Sequence, residues 1–227
     1  MSENKIIPSL DVSREEAFHL IKELECVEDK FGGYKVGSLL VMENGINVIK
    51  EINDRTELPI IYDGQKLGSD IPSITNKQIE LLSNVDVDYA IIYPVGGGDR
   101  TLYQFIESCK KFNITPVCVV SMSHEISDRY LSISIEDIVL STAYSYGIRT
   151  YVYPATKPEI LQCHNELSNI NMNDSVKLST GFSKDEHYSS MCDLGVSRFI
   201  VGRSIYLSSD PVGEVEKIWN LINTGEK

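Results

Sequence analysis

The stretch Ile60-Ile61-Tyr62-Asp63-Gly64-Gln65-Lys66-Leu67-Gly68-Ser69-Asp70-Ile71-Pro72 runs from an apolar segment into two aspartates that flank a lysine, with glycines between them. A short apolar strand ending in charged and glycine residues is what a barrel strand looks like where it delivers side chains to a site at its C-terminal end. Like charges there repel unless the intervening cation, or a ligand, is held between them. The plainer reading is a solvated loop with an incidental ion pair, and the stretch alone leaves both open.

Outward from this strand, apolar runs bounded by turn residues predict seven more: Ile6–Leu10, Gly33–Val36, Tyr89–Tyr93, Thr115–Val120, Thr150–Tyr153, Val176–Ser179 and Arg198–Val201, with Pro59–Tyr62 as the third of eight. Helical periodicity fills the spaces, at Ser13–Asp29, Glu43–Asn53, Thr75–Asn84, Arg100–Phe112, Ile135–Tyr146, Pro158–Leu167, Lys184–Leu194 and Pro211–Asn223. Ser13 ahead of Glu15 and Glu16, and Asp210 ahead of Pro211, are helix-start signals. Strict βα alternation repeated eight times predicts an α/β fold of the (β/α)8 TIM-barrel type rather than an open doubly wound sheet. At 227 residues, with no linker or low-complexity tract, the expectation is one domain over residues 1–227.

A 42% hydrophobic and 24% charged composition provides for a large core. The net charge of −12 argues against non-specific binding of nucleic acid or an anionic membrane, since both need a basic face. Any anionic ligand must therefore meet a local positive pocket. Five scattered cysteines without C-x-x-C spacing fit reduced thiols rather than zinc or a disulfide framework. His19, His124, His164 and His187 share no metal-ligand spacing, and His124, just after a strand, reads as structural. The N-terminal residues resemble no secretion signal and no apolar run matches a bilayer span, so a cytoplasmic protein is expected.

In a barrel, residues just after each strand face one mouth. Here they are Asp11, Lys35, then Asp63, Lys66 and Asp70, then Gly96-Gly97-Gly98, Ser121-Met122-Ser123-His124, Pro154-Ala155-Thr156, Thr180-Gly181-Phe182-Ser183 and Gly202-Arg203-Ser204. Glycines at the last two strand ends, followed by Arg203 and a helix start, suit phosphate, because bare backbone N–H groups and a guanidinium converge on one oxyanion. The triple glycine lacks the lysine of a P-loop and reads as a turn.

The chain resembles the orotidine 5'-monophosphate decarboxylase family, on Ser9-Leu10-Asp11, Lys35-Val36-Gly37, Asp70-Ile71-Pro72, Ser121-Met122-Ser123-His124, Pro154-Ala155-Thr156-Lys157-Pro158-Glu159 and Ile200-Val201-Gly202-Arg203-Ser204-Ile205-Tyr206. The resemblance implies decarboxylation of a pyrimidine nucleotide to uridine 5'-monophosphate, without metal or organic cofactor. It implies that Lys66 stabilises the carbanion and protonates C6, with Asp63 holding Lys66 and crowding the carboxylate. Lys35 and Asp11 would then serve the charge array and the ribose, Ser123 the pyrimidine edge, and Gly181, Gly202 and Arg203 the phosphate. Asp70 and Ile71 would cross into a partner's site, which implies a homodimer with shared active sites.

The chain also departs from that family. The usual Asp-x-Lys-x-x-Asp is here Asp63-x-x-Lys66-x-x-x-Asp70, one residue longer on each side. Gly64 and Gly68, tolerating positive φ, are expected to bulge so that the three charges converge. The rival alignment puts Gln65 in the lysine's place. The seventh loop lacks the family's lid glutamine, Lys184 being a substitute phosphate contact, and Ile74 precedes Thr75 where a threonine usually follows Asp-Ile-Pro-x. Two alternatives stand beside the decarboxylase. One is a magnesium-dependent sugar-phosphate enzyme of the same barrel group, which carries an acidic residue near the second strand's end, where this chain has Lys35. The other is an inactive paralogue that binds a phosphate ligand.

Overall fold

The computed structural model describes residues 3–123 and 133–224, with the backbone but not the side chains of Lys66, Ile133 and Ser134. Eight parallel strands alternate with helices: β1 (Lys5–Pro8), β2 (Tyr34–Gly37), β3 (Ile60–Asp63), β4 (Tyr89–Ile92), β5 (Thr115–Val119), β6 (Thr150–Pro154), β7 (Val176–Thr180) and β8 (Arg198–Val201). Each lies within two residues of the expected strand. Hydrogen-bonded order runs β1-β8-β7-β6-β5-β4-β3-β2. The remaining seam closes because Gly32 N–H donates to the Ile6 carbonyl and Leu10 N–H to the Lys35 carbonyl, both at 2.8 Å. The barrel expected from the alternation is therefore the barrel observed.

Around it lie α1 (Arg14–Leu24), α2 (Ser38–Asn44), α3 (Val48–Asn53), α4 (Pro72–Ser83), α5 (Gly98–Lys111), α6 (Ile133–Ser145), α7 (Pro158–Asn165), α8 (Glu186–Asp193), α9 (Arg203–Tyr206) and α10 (Pro211–Asn223). Ser13 and Glu16 close a reciprocal capping box on α1, and Asp210 accepts from Gly213 N–H at 2.9 Å to start α10. Helix α5 buries Leu102, Phe105, Ile106 and Cys109, the i, i+3, i+4, i+7 stripe that faces a sheet. Each such side chain contributes about 1.5–3 kcal/mol relative to exposure.

Some expectations change, and the short α9 is not among the predicted helices. The helix expected over Glu43–Asn53 is shortened to α3, and most of α2 precedes the expected start, because Gly45, at φ +77°, ends α2 in a conformation that side-chain-bearing residues resist. The first helix stops at Leu24 and tightens into a 3-10 segment, Glu25–Lys30. The apolar material forms two layers. Ile7, Ile61, Ile91, Val117, Val119, Val152, Leu178 and Ile200 fill the barrel interior, while a larger cluster packs between strands and helices. The interior filling stops where Lys35, Asp63 and Ser9 begin, and that boundary is the floor of the site.

Candidate active site

Side chains alternate sides along a strand, so Ser9 and Asp11 share a side, as do Lys35 and Gly37, and Ser121 and Ser123. Three neighbouring strands bring the charges together. Lys35, 7% exposed, places Nζ 2.9 Å from Asp11 Oδ2 and 3.0 Å from Asp63 Oδ2. Burial alone pulls this ammonium toward deprotonation, and Asp63 and Asp11 more than reverse it, so its pKa lies above the ordinary lysine value. Ser9 donates to the same Asp11 oxygen at 2.6 Å. Gly37 makes room, since a Cβ there would meet Asp11 Oδ1 at 2.0 Å. The second Asp63 oxygen, Oδ1, is buried and has no hydrogen-bond partner among the described residues.

Three cavities that share lining residues open around this cluster. One of about 220 Å³ is lined by Ser9, Asp11, Lys35, Ser123, Gly181, Gly202, Arg203 and Tyr206, among others. A second, of about 550 Å³, runs from Asp11 and Lys35 along α2 to Asp63 and Gln65. A third, of about 150 Å³, lies over the barrel interior between Asp63, Gln65, Ser121 and Ser123. Clefts of comparable size beside α1 lie outside the barrel mouth and hold none of its charged groups.

The structure thus gathers Asp11, Lys35, Asp63, Ser123, Gly181, Gly202 and Arg203 at one mouth. It does not gather Asp70 and Ile71 there. Both are exposed, Ile71 at 61%, and the Asp70 carboxylate accepts from the Ile71 N–H at 2.8 Å. Lys66 lies in a 3-10 turn, Gln65–Ser69, and its side chain is outside the description. His124 lies outside the described residues. Lys184 is exposed and lines none of the three cavities.

The expected bulge at Gly64 and Gly68 is not how the longer loop is accommodated. Neither has positive φ, and the loop tightens into the 3-10 turn. Gly68 is required by close approach, since a Cβ there would meet the Tyr93 carbonyl oxygen at 2.0 Å. The Gly97 N–H then donates to the Gly68 carbonyl at 2.6 Å, so the triple glycine supports the β3 loop. Thr75 is wholly buried and donates to the Leu67 carbonyl at 3.2 Å, tying the turn to α4. Ser9 and Tyr206 were not anticipated as site residues, whereas Ser121 was expected at the mouth but without a role of its own. The two-residue spacing Ser9-x-Asp11 and Ser121-x-Ser123 was the available signal.

A closed eight-stranded parallel barrel, with a buried lysine clamped by two carboxylates and glycines and an arginine across its C-terminal mouth, defines the class of (β/α)8 barrels with a charged cleft at that mouth. The model of the orotidine 5'-phosphate decarboxylase / HUMPS family matches residues 4–218. The chain belongs to that family. It is 30% identical to an orotidine 5'-phosphate decarboxylase of Methanococcoides burtonii over 226 residues, covering 97% of this chain and 98% of that protein. The same enzyme of Methanocaldococcus jannaschii is 29% identical, over 96% and 99% of the two chains. The crystal structure of the latter with the inhibitor BMP superposes with a TM-score of 0.83 at 25% identity, over 98% of this chain and 100% of that one.

Proposed function

We propose that the chain is a carboxy-lyase that converts orotidine 5'-monophosphate into uridine 5'-monophosphate, the last step of pyrimidine biosynthesis. Family membership over nearly the whole chain supports this reading. The observation that carries it in the site is the Lys35 ammonium held between Asp11 and Asp63. A fixed, charged array beside an unpartnered carboxylate oxygen suits a reaction whose difficulty is a developing carbanion. It is also unsuited to the magnesium-dependent alternative, since the ammonium occupies the place between the carboxylates that a divalent cation would need.

In this reading the substrate phosphate binds at Gly181, Gly202 and Arg203, the ribose at Asp11 and Lys35, and the pyrimidine edge at Ser123. The C6 carboxylate is set against Asp63. The C6–carboxylate bond breaks, its electron pair stays on C6, carbon dioxide leaves, and Lys66 delivers a proton to C6. A cation about 4 Å from the developing charge contributes about 4 kcal/mol at an effective dielectric near 20. Asp70 and Ile71 reach the site of a partner copy, and the exposed apolar side chains Ile74 and Leu81 of α4 and Leu39 and Met42 of α2 support such a homodimer. The protein acts as a single domain in the cytoplasm, with neither nucleic acid nor membrane as partner. Among the described residues no helix is long and apolar enough to cross a membrane.

The test is a spectrophotometric assay with orotidine 5'-monophosphate in excess EDTA. Conversion to uridine 5'-monophosphate is expected. Binding without conversion would favour the inactive paralogue instead.

A further inference from the structure

The Ser121 hydroxyl sits just past the end of β5, 4% exposed, with no hydrogen-bond partner among the described residues. Ser121 lines the cavity of about 150 Å³, as does Asp63, whose Oδ1 is likewise buried and without a hydrogen-bond partner among the described residues. The remaining wall is mixed, with Ile91, Val119, Val152 and Ile200 beside the polar Gln65, Ser123 and Thr180. A buried hydroxyl without a partner is unfavourable, and one that faces a cavity is satisfied when a ligand brings an acceptor. With about 30 Å³ per water as a measure, this space admits a carboxylate but not a nucleoside.

We infer that Ser121 donates a hydrogen bond to the carboxylate of the substrate when that group enters the cavity beside Asp63. The inference rests on the decarboxylase reading and adds to it a specificity-determining contact. An anion placed against Asp63 is repelled, and a hydrogen-bond donor in the same cavity offsets part of that repulsion. The hydrogen bond is strong to the charged carboxylate and weak to the neutral carbon dioxide that forms from it. Ser121 therefore tightens substrate binding without assisting bond cleavage.

The experiment compares Ser121→Ala with the parent in two measurements. Single-turnover kinetics with orotidine 5'-monophosphate separate binding from chemistry, and competitive inhibition by uridine 5'-monophosphate reports a ligand that lacks the carboxylate. Substrate binding is expected to weaken about tenfold or more, the loss typical of a hydrogen bond to a charged group. The inhibition constant of uridine 5'-monophosphate is expected to stay within about twofold, and the chemical step is expected not to slow. Ser121→Thr, which restores a hydroxyl, is expected to recover most of the binding. Equal weakening for both nucleotides would assign the hydroxyl to the base edge and overturn the inference, as would no change in either or a slower chemical step. Absence of turnover by the parent protein would instead remove the decarboxylase reading, a result that no Ser121 variant can produce.

Discussion

At the scale of single residues the site depends on compensation. Lys35 is the counter-ion for two carboxylates that otherwise face each other across the barrel seam, at 2.9 and 3.0 Å from it. Replacing it with methionine keeps the stem and removes the charge, leaving Asp11 and Asp63 uncompensated. Lys35→Met is expected to lose about 3 kcal/mol of stability in urea unfolding, the lower end for breaking a buried pair because Asp11 is partly open to water. Lys66→Ala is expected to cut turnover at least about a thousandfold while nucleotide binding, measured calorimetrically, persists. Retained turnover in that variant would move the proton donor to another residue and revive the alignment with Gln65 in the lysine's place.

At the scale of elements, two junctions hold the mouth in shape. The β3 loop is pinned where Gly68 passes under the Tyr93 carbonyl, so a methyl group there has no space. Gly68→Ala is expected to shift the Gln65–Ser69 turn, costing about 2 kcal/mol in chemical denaturation and a larger loss of turnover. On the far side, Tyr153 of β6, His164 of α7 and Asp137 of α6 form a chain, with Tyr153 Oη 3.1 Å from His164 Nδ1 and His164 Nε2 2.9 Å from Asp137 Oδ1. Burial lowers the His164 pKa below its ordinary 6.5 although Asp137 opposes the shift. Below that value the unfolded chain takes up a proton that folded His164 resists, so this stability is full above about 6.5 and is lost as pH falls. His164→Gln is expected to be less stable than the parent at neutral pH, with the gap narrowing from about pH 7 to about pH 5 in thermal unfolding.

At the scale of the whole molecule, Asp70 is not gathered at this chain's mouth, and Asp70 and Ile71 are exposed, as are the apolar side chains Ile74 and Leu81 of α4 and Leu39 and Met42 of α2. If these residues pair two copies, assembly and catalysis fail together. Ile71→Glu is expected to give monomers in sedimentation analysis and to lose most activity, with unchanged far-UV circular dichroism. A monomer with full activity would place the whole site within one chain.

The fold was legible in the sequence because strand and helix periodicities are local, and eight alternations leave few ways to bury that many apolar faces. The Asp11, Lys35 and Asp63 cluster was legible for the same reason, since strand ends in a barrel must share one mouth. The loop after Asp63 was not legible. Its 3-10 turn depends on the Tyr93 carbonyl, Gly97 and Thr75, residues distant in sequence that no local pattern connects. The break at Gly45 was open to a local reading, yet the flanking apolar pattern continues through it and concealed it. Thus the order of polar and apolar residues by itself determined the barrel and which end of it carries chemistry. Only the tertiary structure decided which carboxylate oxygens Lys35 neutralises and which remain free, because those pairings are set by packing across strands and not by spacing along the chain.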